Sequence, residues 1–318
     1  MYVKTRKILQ SNWVDTIPDR PQRLPTFQLG LVRFFFRTIG WLFPKWSSKI
    51  AYKLFATPTV RAKHGKSDSI LESARIFDVL YGRQILKGYA WGPREDAPTV
   101  LLVHGWNSRG TALRSFVPDL VERGYRVVAM DGPAHGHSDG KQTNLINFAG
   151  GVRAMINHLG DLAGIITHSF GGASTLYALG HLDLNHRVEK LVLVGVPAKI
   201  DRVIAHSERT LGLPKNVSRH FRTKLERMVG NTLEELDSAS FKNEARVDSI
   251  LIVHDREDAV VKFRSAEENY RELERASLLI TEGYGHFRMM KNPDVVSAVV
   301  EFINGVQAPS KVTDLGVL

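Results

Sequence analysis

Six near-continuous apolar runs constrain this chain more than any other feature. They fall at residues 99–104 (TVLLVH), 125–131 (YRVVAMD), 162–168 (LAGIITH), 188–196 (VEKLVLVGV), 249–254 (SILIVH) and 276–281 (ASLLIT). None alternates polar with apolar residues, so each predicts a strand covered on both faces, the pattern of a parallel sheet. Helical patterns at 111–123, 145–158, 170–179, 265–274 and 293–304 separate them. Strand–helix alternation of this kind predicts a mostly parallel, doubly wound α/β sheet. Two shorter runs, 75–80 and 84–91, flank Tyr81-Gly82-Arg83 and read as an antiparallel pair, for about eight strands in all. The alternation fails once, at 199–246, where a mostly helical and polar insertion intervenes. A chain of 318 residues is thus expected to be one large α/β domain with an insertion. Its core spans 67–198 and 247–306, and a loose tail is expected at 307–318.

The formal charge of +10 is a property of one end. Residues 1–66 hold 13 Lys/Arg against Asp15 and Asp19, and the rest of the chain is nearly neutral. This end is also greasy: 27–43 reads FQLGLVRFFFRTIGWLF before Pro44. Leu31, Phe35, Ile39, Leu42 and Trp46 recur at helical spacing, so a helix here carries a continuous apolar stripe. An N-terminal helical extension over 1–66 is expected, packed on the main domain. Homodimerisation through residues 27–56 and peripheral contact with an anionic membrane are the other readings. No base-reading motif follows the basic residues, so no nucleic-acid partner is expected. No run of about 18 apolar residues occurs, and the N-terminus MYVKTRK lacks a signal-peptide core. A cytoplasmic location is therefore expected, with peripheral attachment at the inner membrane face as the other reading. The absence of cysteine excludes disulfides, thiolate catalysis and Cys-ligated metals.

In open α/β sheets functional groups collect beyond the carboxyl ends of the strands. Those loops read His104-Gly105-Trp106, Asp131-Gly132-Pro133-Ala134-His135-Gly136-His137-Ser138, Thr167-His168-Ser169-Phe170-Gly171-Gly172, His254-Asp255-Arg256-Glu257-Asp258 and Gly283-Tyr284-Gly285-His286. A serine on a tight strand-to-helix turn exposes its hydroxyl, and small neighbours let strand and helix pass closely. Ser169 stands at such a position. Thr167 replaces the first glycine of G-x-S-x-G, and a β-branched residue there is expected to crowd the turn. Twelve histidines are present, so residue type alone does not select a base. Asp255 and Asp258 both lie in the loop after 249–254.

With these loops the chain resembles the α/β-hydrolase superfamily over roughly residues 75–305. The resemblance implies Ser169 as nucleophile, His286 as base and then acid, and Asp258 rather than Asp255 orienting His286. It implies an oxyanion hole from the backbone N–H groups of Trp106 and Phe170, supported by His104, Gly105, His168 and Gly171. His168 is expected to pack beneath the turn. In this family the insertion's position holds a lid, here net +3 with Leu211, Leu213, Phe221, Leu225, Met228 and Leu233 as apolar anchors. Asp131, His104, His135 and His137 form a donor set that invites a metal reading, but the family carries this loop as structure, so no metal is expected. No phosphate-binding loop follows any strand, and no cofactor is expected. The implied activity is carboxylic-ester hydrolysis on a small molecule with an apolar acyl group. Thioesterase, lactonase, amidase, carbon–carbon hydrolase and perhydrolase chemistries share the same residues. A non-catalytic member that binds an acyl ligand, a membrane or a partner is the alternative from another class.

Overall fold

Val, Ile and Leu form strands because branched aliphatic side chains suit a pleated surface covered on both sides. The computed structural model describes residues 26–59, 69–92, 95–230, 232–241, 247–306 and 312–315. Its strands are β1 (Arg75–Tyr81), β2 (Gln84–Trp91), β3 (Thr99–Val103), β4 (Arg126–Met130) and β5 (Gly164–His168). β6 (Val188–Val194), β7 (Val247–Asp255), β8 (Ala276–Thr281) and β9 (Val312–Leu315) complete the set. They form one sheet in the order β1-β2-β4-β3-β5-β6-β7-β8-β9. β2 runs antiparallel to both β1 and β4, and every other pair is parallel. Of the tail expected to be loose, 312–315 instead form β9, which pairs from Leu278↔Val312 to Thr281↔Leu315, while 307–311 and 316–318 lie outside the described residues. An unpaired β8 edge is thereby covered by backbone hydrogen bonds that a four-residue strand of weak pattern does not announce.

The helices are α1 (Thr26–Arg37), α2 (Pro44–Ala56), α3 (Val117–Glu122), α4 (Leu145–Leu159), α5 (Phe170–His181), α6 (Ile200–Leu211), α7 (Lys215–Val229), α8 (Arg264–Glu272) and α9 (Pro293–Ile303). Asn144 caps α4 by accepting from Asn147 N, and Asn292 caps α9 by accepting from Asp294 N and Val295 N. Two packed layers result. Leu101, Val103 and Val128 meet Phe148, Val152 and Met155 on one face of the sheet. Val100, Leu102 and Val127 meet Phe116, Leu120 and Val299 on the other.

The N-terminal helix is not one stripe. It breaks after Arg37, makes a short turn at Ile39–Leu42, and restarts at Pro44, whose fixed φ suits a first helical position. The spacing therefore does not carry through: Phe36 is fully buried and Phe35 of the stripe is half-buried against the core, while Leu31, Ile39, Leu42 and Trp46 are exposed. α2 packs on α7, with the Phe55 and Phe221 rings 5.5 Å apart and Lys224 Nζ 4.8 Å above the Tyr52 ring. In the insertion, Arg222 holds α6 and α7 together through Glu208 and Asp201, and Arg202 pairs both nitrogens with Glu268 of α8 at 2.5 and 2.7 Å. Leu211, Phe221, Leu225 and Leu233 are buried, whereas Met228 is exposed and anchors nothing. Residues 1–25 and 60–66 of the expected extension, and 231 and 242–246 of the insertion, lie outside the described residues. No helix among the described residues is long and apolar enough to cross a membrane.

Candidate active site

Ser169 sits at the end of β5 and caps α5 with φ 52° and ψ −120°. A non-glycine residue in the left-handed region costs about 1–3 kcal/mol and persists only where its surroundings hold it. Here Ser169 N donates to Val194 O at 2.9 Å, and Ser169 O accepts from Gly172 N at 3.0 Å. Gly171 is required by close approach, since a Cβ there would meet His104 O at 2.3 Å. Thr167 does not distort the turn. Its Oγ1 donates to Val192 O at 2.8 Å, and Gly172 leaves the space, because a Cβ there would lie 2.9 Å from the Thr167 hydroxyl.

His286 follows β8 in the helical turn Gly285–Arg288. Its Nδ1–H donates to Asp258 Oδ2 at 2.6 Å, and both residues are buried. Asp258 Oδ1 accepts from Val260 N at 2.7 Å and Val261 N at 2.8 Å, which fixes the carboxylate plane. Asp255 is committed elsewhere: its Oδ2 accepts from Thr281 Oγ1 at 2.8 Å and Tyr284 N at 3.0 Å, tying β7 to β8 and the loop beyond.

A residue that sequence reasoning passed over stands behind this pair. His254 Nε2–H donates to Val261 O at 2.8 Å and lies 3.5 Å from Asp258 Oδ2. Its Nδ1 is buried without a hydrogen-bond partner, and burial holds its pKa below the ordinary histidine value. The i, i+4 spacing of His254 and Asp258 was the only available signal.

Ser169 and His286 share one neighbourhood. A Cβ on Gly195, the residue after the one that accepts from Ser169 N, would lie 3.1 Å from Nδ1 and Cε1 of His286. The Ser169 and His286 side chains form no hydrogen bond with each other; such contacts are often loose before substrate binds. His168 lies beneath the turn, where its ring centroid is 4.6 Å from that of His286 and its Nε2–H donates to His286 O at 3.0 Å. Burial, then the neighbouring His286, pushes the His168 pKa well down, so this imidazole is neutral.

On the opposite side, Phe170 opens α5, where a helix's first N–H groups have no intrahelical acceptor. Trp106 N donates to no backbone acceptor among the described residues. The Trp106 ring packs edge-on to Phe170 at 5.1 Å and to His135 at 5.3 Å, and Phe148 packs on Phe170 at 5.2 Å. Gly105 is another close approach, because a Cβ there would lie 3.1 Å from His168 Nδ1 and 3.2 Å from Ser169 Cβ. His104 Nδ1–H donates to Gly105 O at 2.7 Å, and its Nε2 accepts from Gly132 N at 3.0 Å. His135 accepts from Asn107 N at 3.1 Å. Asn107 has φ 56° and is tied by its side chain to Thr59 of the N-terminal segment, a link with no signal in the sequence.

Asp131 is the keystone of its loop. It accepts from Gly110 N at 2.6 Å, Tyr89 OH at 2.7 Å and His137 N at 2.8 Å. Burial and this carboxylate raise the Tyr89 pKa far above the usual phenol value, so Tyr89 is a permanent donor. Among the described residues no group of three or more His, Asp or Glu side chains is arranged to hold a metal ion.

The sheet order, with a strained serine after β5 and an Asp–His pair from the loops after β7 and β8, defines an α/β-hydrolase fold. Residues 98–227 match the family model described as alpha/beta hydrolase fold, and residues 232–314 match the one described as TAP-like protein. The chain belongs to the α/β-hydrolase superfamily. It is 32% identical over 133 residues to the bifunctional esterase/perhydrolase DCH of Acinetobacter calcoaceticus, covering 40% of this chain and 46% of that protein. It is also 32% identical over 139 residues to a non-heme chloroperoxidase of Streptomyces lividans, covering 42% and 49%. The chain thus spans about half the length of these curated relatives. Among solved structures, the Pyrococcus furiosus esterase Pf2001 superposes with a TM-score of 0.58 at 20% identity, over 79% of this chain and 97% of that one, a likeness of fold.

Proposed function

We propose that this protein is a serine hydrolase that cleaves a carboxylic ester through an acyl-Ser169 intermediate. The observation that carries the proposal is the buried 2.6 Å His286–Asp258 hydrogen bond beside a serine held at positive φ. Asp258 keeps the Nδ1–H tautomer of His286 and leaves Nε2 free to take the Ser169 hydroxyl proton as Oγ attacks the ester carbonyl. The N–H groups of Trp106 and Phe170 stabilise the tetrahedral oxyanion, at about 3–4 kcal/mol per donor. His286 then returns the proton to the departing alkoxide. Water repeats the cycle on the acyl-enzyme, releasing the acid and free Ser169. The rings of Trp106 and Phe170 favour an apolar acyl group.

Perhydrolysis is a second reading, favoured by the similarity to an esterase/perhydrolase. Hydrogen peroxide replaces water at the acyl-enzyme and leaves as the peracid. The test is turnover of chromogenic esters from acetate to palmitate, with and without peroxide, beside Ser169→Ala. Turnover and fluorophosphonate labelling that vanish in Ser169→Ala support the proposal. An inert wild type that fluorophosphonate does not label overturns it, and the binding-protein alternative then leads.

A further inference from the structure

α1 has two apolar faces, and among the described residues only one is packed. Phe36 is buried against the protein, while Phe27, Leu31 and Phe34, spaced i, i+4, i+7, stand in solvent. The exposed face continues through Trp41, Leu42, Phe43 and Trp46 at the corner before α2, each more than half exposed. The rings of Phe35 and Trp46 lie 5.9 Å apart and join the two helices. Proteins rarely leave so many large apolar side chains together in water without a use for them.

The charge around this face selects its occupant. Arg37, Lys45 and Lys49 are exposed beside these rings. Between Asp19 and Asp68 the chain contains no acidic residue. A second copy seated here would set these cations against their own kind. An anionic bilayer supplies both an apolar layer for the rings and negative headgroups for the cations, and tryptophan favours that interface. At 12 and 13 residues, α1 and α2 are too short to span a membrane, so they lie on it.

We infer that the α1–α2 corner docks on an anionic lipid surface. α2 packs on α7 of the insertion, and Thr59, three residues beyond α2, is bonded to Asn107 next to Trp106. Docking therefore brings the insertion and the Trp106 loop to the bilayer. If the ester-hydrolase reading holds, this favours substrates drawn from the lipid phase.

The test is flotation of the full-length protein with vesicles of phosphatidylcholine alone or mixed with phosphatidylglycerol, with soluble-ester turnover measured in parallel. Binding is expected on the mixed vesicles and is weakened by salt. Each removed cation weakens it about fivefold, so Arg37→Gln/Lys45→Gln/Lys49→Gln loses about a hundredfold. Trp41→Ala/Phe43→Ala also releases the protein. Both variants replace exposed side chains and keep wild-type melting and soluble-ester turnover. A wild type that stays unbound on mixed vesicles overturns the inference. So does a dimer that is lost in Trp41→Ala/Phe43→Ala without vesicle binding, which assigns the face to a second copy. A chain that binds vesicles yet turns over no ester sinks the hydrolase reading and leaves the docking surface standing.

Discussion

Thr59 and Asn107 exchange two hydrogen bonds: Thr59 N donates to Asn107 Oδ1 at 3.0 Å, and Asn107 Nδ2 donates to Thr59 Oγ1 at 2.9 Å. The pair clamps the N-terminal segment to the residue that follows Trp106. Asn107 holds φ 56°, and its own N–H is spent on His135, so the clamp fixes the peptide on one side of the proposed oxyanion hole. Thr59→Val removes one of the two bonds, worth about 1 kcal/mol. It is expected to lower kcat severalfold with little change in KM, and Thr59→Ser is expected to restore it. Unchanged kcat in Thr59→Val means that the segment does not position Trp106.

Asp258 bonds His286 whereas Asp255 bonds Thr281 and Tyr284, so the proposed mechanism assigns chemistry to the first and architecture to the second. Asp258→Asn disturbs the His286 tautomer and is expected to cost about 10⁴-fold in kcat. Asp255→Asn weakens the ties to Thr281 and Tyr284, so its main effect is on melting. Ester kinetics and thermal melts on both variants decide the matter. Equal kinetic losses contradict the assignment.

The strain at Ser169 gives a stability prediction. Ser169→Ala and Ser169→Gly both remove the proposed nucleophile, but only glycine accepts φ 52° without steric cost. After the entropic penalty of glycine, Ser169→Gly is expected to be more stable than Ser169→Ala by about 1 kcal/mol. Denaturant midpoints of the two variants measure the difference. No difference would mean that the turn is relaxed.

His168 and His254 make stability depend on pH. Burial depresses both pKa values in the folded protein, so the unfolded chain binds more protons as pH falls below about 6.5. Stability is fully present above that pH. It then declines by up to about 1.4 kcal/mol per pH unit for each histidine until the folded pKa is reached. His254→Gln, which keeps a donor for Val261 O, is expected to make the melting profile less steep below about pH 6.5, leaving the part due to His168. A wild-type profile already flat there would contradict burial of these imidazoles.

What the sequence determined by itself was local and repetitive. The apolar runs announced β3 to β8 because a strand covered on both faces must be apolar at nearly every position. The antiparallel pair β1–β2 was legible from its short turn. Thr167-His168-Ser169-Phe170-Gly171-Gly172 announced a strand-to-helix turn because small residues are needed where backbones cross. The tertiary structure decided what depends on partners distant in the chain. It paired Asp258 with His286 and gave Asp255 to Thr281, a choice that composition within one loop does not contain. It made room for Thr167 by placing Gly172 opposite it. It drew residues 312–315 onto β8 as an edge strand, where the partner supplies the hydrogen bonds that a weak pattern does not foretell. At the N-terminus, helical spacing selected Leu31, Phe35, Ile39, Leu42 and Trp46 as one apolar stripe, but the break before Ile39 and the restart at Pro44 turned the chain. Periodicity reports a face only while a helix continues, so Phe36 is the buried residue, Phe35 is half-buried and the rest of the stripe faces solvent.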